Sequence, residues 1–144
     1  MKKYFKLLLV LLWMLIIFCY SGKPAVASNQ DSELIIGIFR FLGLDLNSVL
    51  GEMASFAVRK AAHFTEYFIL FLLWFNLLHD KFDLKRALLY SIAAVFLYSV
   101  TDELHQMFVP GRAARIADVM IDLSGGCAAA AFRYLSLRRK GIEI

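Results

Sequence analysis

At 144 residues, with 60% hydrophobic residues, 19% charged residues and a mean hydropathy of +0.65, the chain is too apolar for a soluble domain or a disordered one. It has room for one domain, because about four spans of about 20 residues each consume more than half of it and leave no space for a soluble catalytic unit. The net charge of +4, from 16 Lys plus Arg against 12 Asp plus Glu, gathers at particular loop ends, which argues against nucleic acid as a partner.

The first apolar run, residues 4–20, follows Lys2, Lys3 and Lys6 and is predicted as span 1. A basic start, an apolar middle and the small residues Ala25-Val26-Ala27-Ser28 also fit a cleaved signal peptide, the competing reading. Residues 21–58 form an outer loop whose second half, from Leu34 to Leu42, is predicted as an interfacial helix. Arg40 and Asp45 interrupt it, and Gly37 and Gly43 weaken it, so it is not read as a span. Span 2 is assigned to 61–78, followed by a charged turn from His79 to Arg86. Span 3 is assigned to 87–106, drawing Asp102 into the membrane boundary, because the 15 residues Ala87–Thr101 fall short of the roughly 17 a span needs. Val109-Pro110-Gly111-Arg112 is a turn signal. Span 4, 117–137, carries the small residues Gly125, Gly126, Cys127 and Ala128 to Ala131, which let another helix approach closely. Cys19 and Cys127 lie inside apolar runs and are read as small buried hydrophobes, neither a disulfide nor a metal pair.

If the spans alternate, the basic residues flanking the first span, Lys81 to Arg86, and Arg138 to Lys140 share one side, which is expected to be cytoplasmic together with both termini. Arg59, Lys60, Arg112 and Arg115 then fall outside, against that rule, so they pair with nearby acids or act there.

At about 100° per residue, Arg59, His63 and Glu66 form one helical stripe, with Lys60 beside it. Asp102 shares a stripe with His105 and Gln106, and Asp118 shares one with Asp122 and Gly125. Around these stripes stand five carboxylates, Glu66, Asp102, Glu103, Asp118 and Asp122, against the four cations Arg59, Lys60, Arg112 and Arg115. Such a balance predicts mutual pairing, so the plain reading is an interhelical network that joins three spans. The His and carboxylate spacings also resemble a metal set, but they are not HExxH and the four cations compete for the acids, so neither metal nor cofactor is assigned. Ser99, Thr101 and Ser124 lie on no nucleophile elbow. Acid or base work by His63 or Glu66 stays open, and Arg112 and Arg115 beside the turn are suited to a lipid phosphate.

The ordered words RKAAHFTEY, DELHQMFVPGR and ARIADVMIDLSGG resemble the VanZ-like family of small bacterial membrane proteins, over the three later spans. The resemblance rests on Lys60, His63, Glu66, Tyr67, Asp102, Glu103, Gln106, Pro110, Gly111, Arg112, Asp118, Asp122 and Gly125, and Phe18 to Ser21 favours keeping the first span. It implies an all-α membrane domain of about four transmembrane helices in the bacterial cell membrane, from a family whose founding member lowers susceptibility to the glycopeptide antibiotic teicoplanin. A family analogy does not carry a physiological role with it.

Three functions follow as expectations. The first is an envelope protein whose outward polar cluster binds a membrane lipid, a lipid-linked wall precursor or a glycopeptide antibiotic. In it the four cations attract the anion, the acids fix them, and His63, His105, Gln106 and Tyr67 complete the hydrogen-bond network, with Phe64, Phe68 and Phe108 against a lipid tail. The second is an enzyme acting on a lipid phosphate or lipid-linked glycan, and the third is a helix-packing assembly subunit.

Overall fold

The computed structural model describes residues 3–139, and among them there are helices and no strand. The elements are α1 (Lys3–Ser21), α2 (Ala25–Phe41), α3 (Leu46–Leu50), a 3-10 turn (Gly51–Met53), α4 (Ala54–Leu78), α5 (Leu84–Gln106) and α6 (Ile116–Arg139). Their ends follow local chemistry. The Asp83 side chain accepts from the Arg86 amide at 2.9 Å and caps α5, and Asp45 caps α3 through the Asn47 amide. Gly111, at φ +74°, supplies the left-handed residue that the loop between α5 and α6 requires. Helix α4 starts at Ala54, ahead of the apolar run expected at 61, because residues 54–60 hold no proline or glycine to break it. That extra turn puts Arg59 and Lys60 on a helix.

Cross-helix bonds give the directions. Lys6 Nζ reaches Asp80 at 2.5 Å, while at the other end of α1 Ser21 bonds Asp102, so α1 runs antiparallel to α4 and parallel to α5. Lys60 meets Asp118 and, further along, Phe68 meets Phe132, so α4 and α6 run side by side in the same direction. The four long helices therefore alternate, and the C-terminal ends of α1 and α5 gather with the N-terminal halves of α4 and α6. Between them the core holds Ile17, Tyr67, Leu70, Phe71, Phe75, Val95 and Ala129.

Three segments are long and apolar enough to cross a membrane: Lys3–Ser21, Leu46–Leu78 and Leu84–Gln106. Expected span 4 is not among them, because Asp118, Asp122 and Arg133 lower the hydropathy of α6. Exposed leucines at positions 8, 11, 12 and 15 give α1 an apolar outer face suited to hydrocarbon. Cys19 and Cys127, expected to be buried, are exposed and free; the helix faces that carry them turn away from the core.

The small-residue face of α6 has one position with no tolerance. A Cβ built at Gly125 collides with the backbone carbonyl of Phe64, which cannot move without shifting α4, whereas at Gly126 it meets Val95 Cγ1 at 2.9 Å. Gly125→Ala should therefore cost about 1–3 kcal/mol or more, and Gly126→Ala less, in equilibrium unfolding by sodium dodecyl sulfate. Equal midpoints for the two variants would contradict the close contact of α4 and α6.

Candidate functional site

Helix ends carry unpaired backbone groups and tolerate polar side chains, and here the C-terminal ends of α1 and α5 meet the N-terminal halves of α4 and α6 around two buried carboxylates. Asp102, in the last turn of α5, accepts from Ser21 Oγ at 2.6 Å and from Gln106 Nε2 at 3.2 Å. Asp122, one turn into α6 beyond Asp118, is 0% exposed; its Oδ1 lies 3.2 Å from His63 Nδ1, and its Oδ2 accepts from Ser99 Oγ at 2.7 Å. A buried acid without such partners would be strongly destabilising, so each pair of bonds is a condition for burying the group. Nearer the surface, Lys60 Nζ binds Asp118 Oδ1 at 2.5 Å, with both side chains largely covered.

The expected mutual pairing of acids and cations is realised only at Lys60. Among the described residues none of the three arginine side chains is ion-paired. Arg59 donates to Asn29 Oδ1 at 2.9 Å. Arg112 donates from Nε to the Lys23 carbonyl at 2.9 Å and from Nη1 to Gln106 Oε1 at 3.1 Å. Three of the acids take other donors instead: Asp102 a hydroxyl and an amide, Asp122 a hydroxyl and an imidazole, and Glu103 the Arg115 backbone amide at 2.9 Å. The reason is position: the acids sit inside the helix bundle, while the arginines stand at its mouth on α4 and on the loop before α6. Burial pulls the Arg112 guanidinium below its ordinary value, and the neighbouring charge of Arg59 adds to the shift. Arginine remains protonated at neutral pH, so the mouth carries positive charge that neutral acceptors do not cancel.

The mouth encloses a cavity of about 100 Å³ whose wall includes Arg59, Arg112, Arg115, His63 and the paired Lys60 and Asp118. A second cavity, of about 220 Å³, adjoins it through Arg59, His63 and Arg112 and runs beneath α2 to Glu66. His63 therefore faces both spaces while Asp122 holds its Nδ1. With Nδ1–H donated to Asp122, Nε2 is the lone-pair nitrogen.

Several expected members lie elsewhere. His105 stacks on Phe18 with ring centroids 4.2 Å apart and turns towards α1, so it does not complete the network. Tyr67 is wholly buried beside Tyr98, and its hydroxyl has no partner among the described residues. Glu103 points to the opposite flank, lining an apolar hollow with Phe96 and Leu104. The Glu66 carboxylate lines the inner cavities but takes no hydrogen bond or ion pair among the described residues; only its backbone carbonyl is engaged, by Trp13 Nε1 at 2.9 Å. Phe64 and Phe68 pack along the α4–α6 seam, and Phe108 is exposed, away from the cavities. Among the described residues no group of three or more His, Cys, Asp or Glu is arranged to hold a metal ion.

Ser21, Ser99, Asn29 and Trp13 complete the site without having been read as part of it. Serine in an apolar run carries a faint signal, a hydroxyl that needs a partner when buried, but a sequence does not name that partner. Because Ser21 and Trp13 belong to α1, the first helix is built into the site.

No curated protein matches the chain, and no solved structure does. A family model does, that of VanZ/LLP1, aligning with residues 5–137 and so taking in α1, the cationic mouth and both buried acids. With nearly the whole chain inside that match, the protein belongs to the VanZ/LLP1 family.

Proposed function

We propose that this membrane protein of the VanZ/LLP1 family binds the anionic head group of an envelope lipid, or of a lipid-linked wall precursor, in its cationic cavity, and thereby lowers susceptibility to teicoplanin-type glycopeptides. One observation carries the reading: Arg59, Arg112 and Arg115 line that cavity with no carboxylate partner among the described residues. Guanidinium groups held by neutral acceptors keep their charge and fork geometry available for phosphate. In this reading α6 crosses as a fourth span with its polar stripe turned to α4, the cavity faces outward, and both termini are cytoplasmic in a bacterial cell membrane.

The test is teicoplanin susceptibility of a sensitive Gram-positive host expressing the native chain or Arg112→Gln at matched membrane levels. Protection by the native chain alone is the expected result, and no difference between the two would remove the link between the cavity and the phenotype.

A second reading rests on the His63–Asp122 bond, which engages Nδ1 of a histidine that lines the cavity and leaves Nε2 as its base. A hydrolase acting on a lipid phosphate uses such a base to take a proton from attacking water as the bond from phosphorus to the lipid oxygen breaks, and returns that proton to the leaving oxygen, with the arginines stabilising charge on the phosphoryl oxygens. Turnover of a phosphatidate by the purified native chain, lost in His63→Gln, would put this reading ahead of binding alone.

A further inference from the structure

The polar cavity does not end at Glu66. A third hollow, of about 360 Å³, continues from the second through Ile35, Val58, Ala62 and Glu66. Its remaining wall is apolar and aromatic, with Trp13 from α1, Phe39 from α2 and Ile69 from α4. The path therefore runs from arginines at the mouth, past His63 and Glu66, into an apolar groove between α1, α2 and α4. Phe39 and Thr65 at its rim are exposed, so the groove opens to the outside of the helix bundle. Helix α2 is held over it at two places: the Ala25 amide donates to the Pro110 carbonyl at 3.3 Å, and Asn29 accepts from Arg59 at 2.9 Å. The expected interfacial helix is thus the cover of this path.

Resting on the head-group reading above, we infer that the continuous path is a site for one whole amphiphile with an anionic phosphate head and a hydrocarbon chain. The phosphate lies on Arg59 and Arg112, which border both the first and the second cavity. One hydrocarbon chain lies between α2 and α4 against Trp13, Ile35 and Phe39. Glu66 stands where the polar and apolar stretches meet, and its carboxylate has no donor among the described residues. A carboxyl group with no partner in the protein suits a head group that carries a hydroxyl or ammonium next to the phosphate. Charge complementarity at one end and an open apolar groove at the other select an amphiphile over a soluble anion.

The test titrates the full chain in dodecyl maltoside micelles with dioleoyl phosphatidylglycerol, dihexanoyl phosphatidylglycerol and inorganic phosphate. Ala61 and Ile69 line the third hollow and neither of the first two, so Ala61→Phe or Ile69→Trp plugs the groove and leaves the arginines in place. The native chain should prefer the long-chain lipid to the short-chain one by at least tenfold, and either plug should abolish that preference while leaving short-chain binding unchanged. Partition of the long chain into micelles is the same for every variant and cancels in the comparison. If Ala61→Phe does not purify folded, Ile69→Trp carries the test. Long-chain affinity unaltered by a plug, with phosphate heads still bound, would overturn the groove alone. Absence of binding by all three probes would overturn the head-group reading, and the groove with it.

Discussion

Asp122→Ala is expected to lower stability by about 3–5 kcal/mol, enough to deplete the protein from the membrane, because it leaves a buried imidazole and hydroxyl without their shared acceptor. Asp122 is 0% exposed and bonds both His63 and Ser99, so it joins α4, α5 and α6 at one point. Asp122→Asn keeps the shape, an acceptor for His63 and a donor for the Ser99 hydroxyl, so membrane abundance should stay near native while ligand binding or turnover falls. Quantitative immunoblots of membranes, followed by unfolding of the purified variants, check both halves of this expectation. Equal abundance of the Ala and Asn variants would show that the carboxylate is not the joint between these helices.

Arg112→Gln is expected to weaken binding of a phosphate head group by about 10–100-fold, the loss of a charge-assisted hydrogen bond at a partly desolvated site. Arg112→Lys should restore little of it. The arginine fork reaches the Lys23 carbonyl and Gln106 at once, which fixes its position between the first and second cavities. A lysine has the charge but not the fork, and its flexible ammonium cannot make both contacts while facing a ligand. Titration of the native chain and both variants with a short-chain anionic phospholipid gives the ratio, and full recovery by lysine would mean that only charge matters there. Added salt should weaken the native chain too, since part of the attraction is screened.

Much of the fold was legible because its signals are local. Apolar runs separated by charged or Pro-Gly turns mark α1, α4 and α5, and the spacing of Arg59, His63 and Glu66 fixes one helical stripe whatever the helix packs against. Helix α6 was less legible by hydropathy, because its polar residues face other helices and its small residues contribute packing rather than apolar surface. Counting acids against cations led to an expectation of mutual pairs, and only Lys60 and Asp118 form one among these cations. A count holds no information on depth, and depth separates the buried acids from the arginines at the mouth. His105 and Gln106 are chain neighbours on α5, yet the first turns to Phe18 and the second to Asp102 and Arg112.

By itself, then, the sequence determined a helical membrane protein with acids, histidines and arginines at the helix ends that share one side of the bundle, because period, run length and turn chemistry are properties of neighbouring residues. Tertiary structure decided which donor satisfies each buried acid, that Ser21 and Trp13 of α1 join the site, and that α2 covers a path from the cationic mouth to an apolar groove. Those outcomes depend on side chains from helices distant in sequence meeting at hydrogen-bond range, and only packing supplies that geometry.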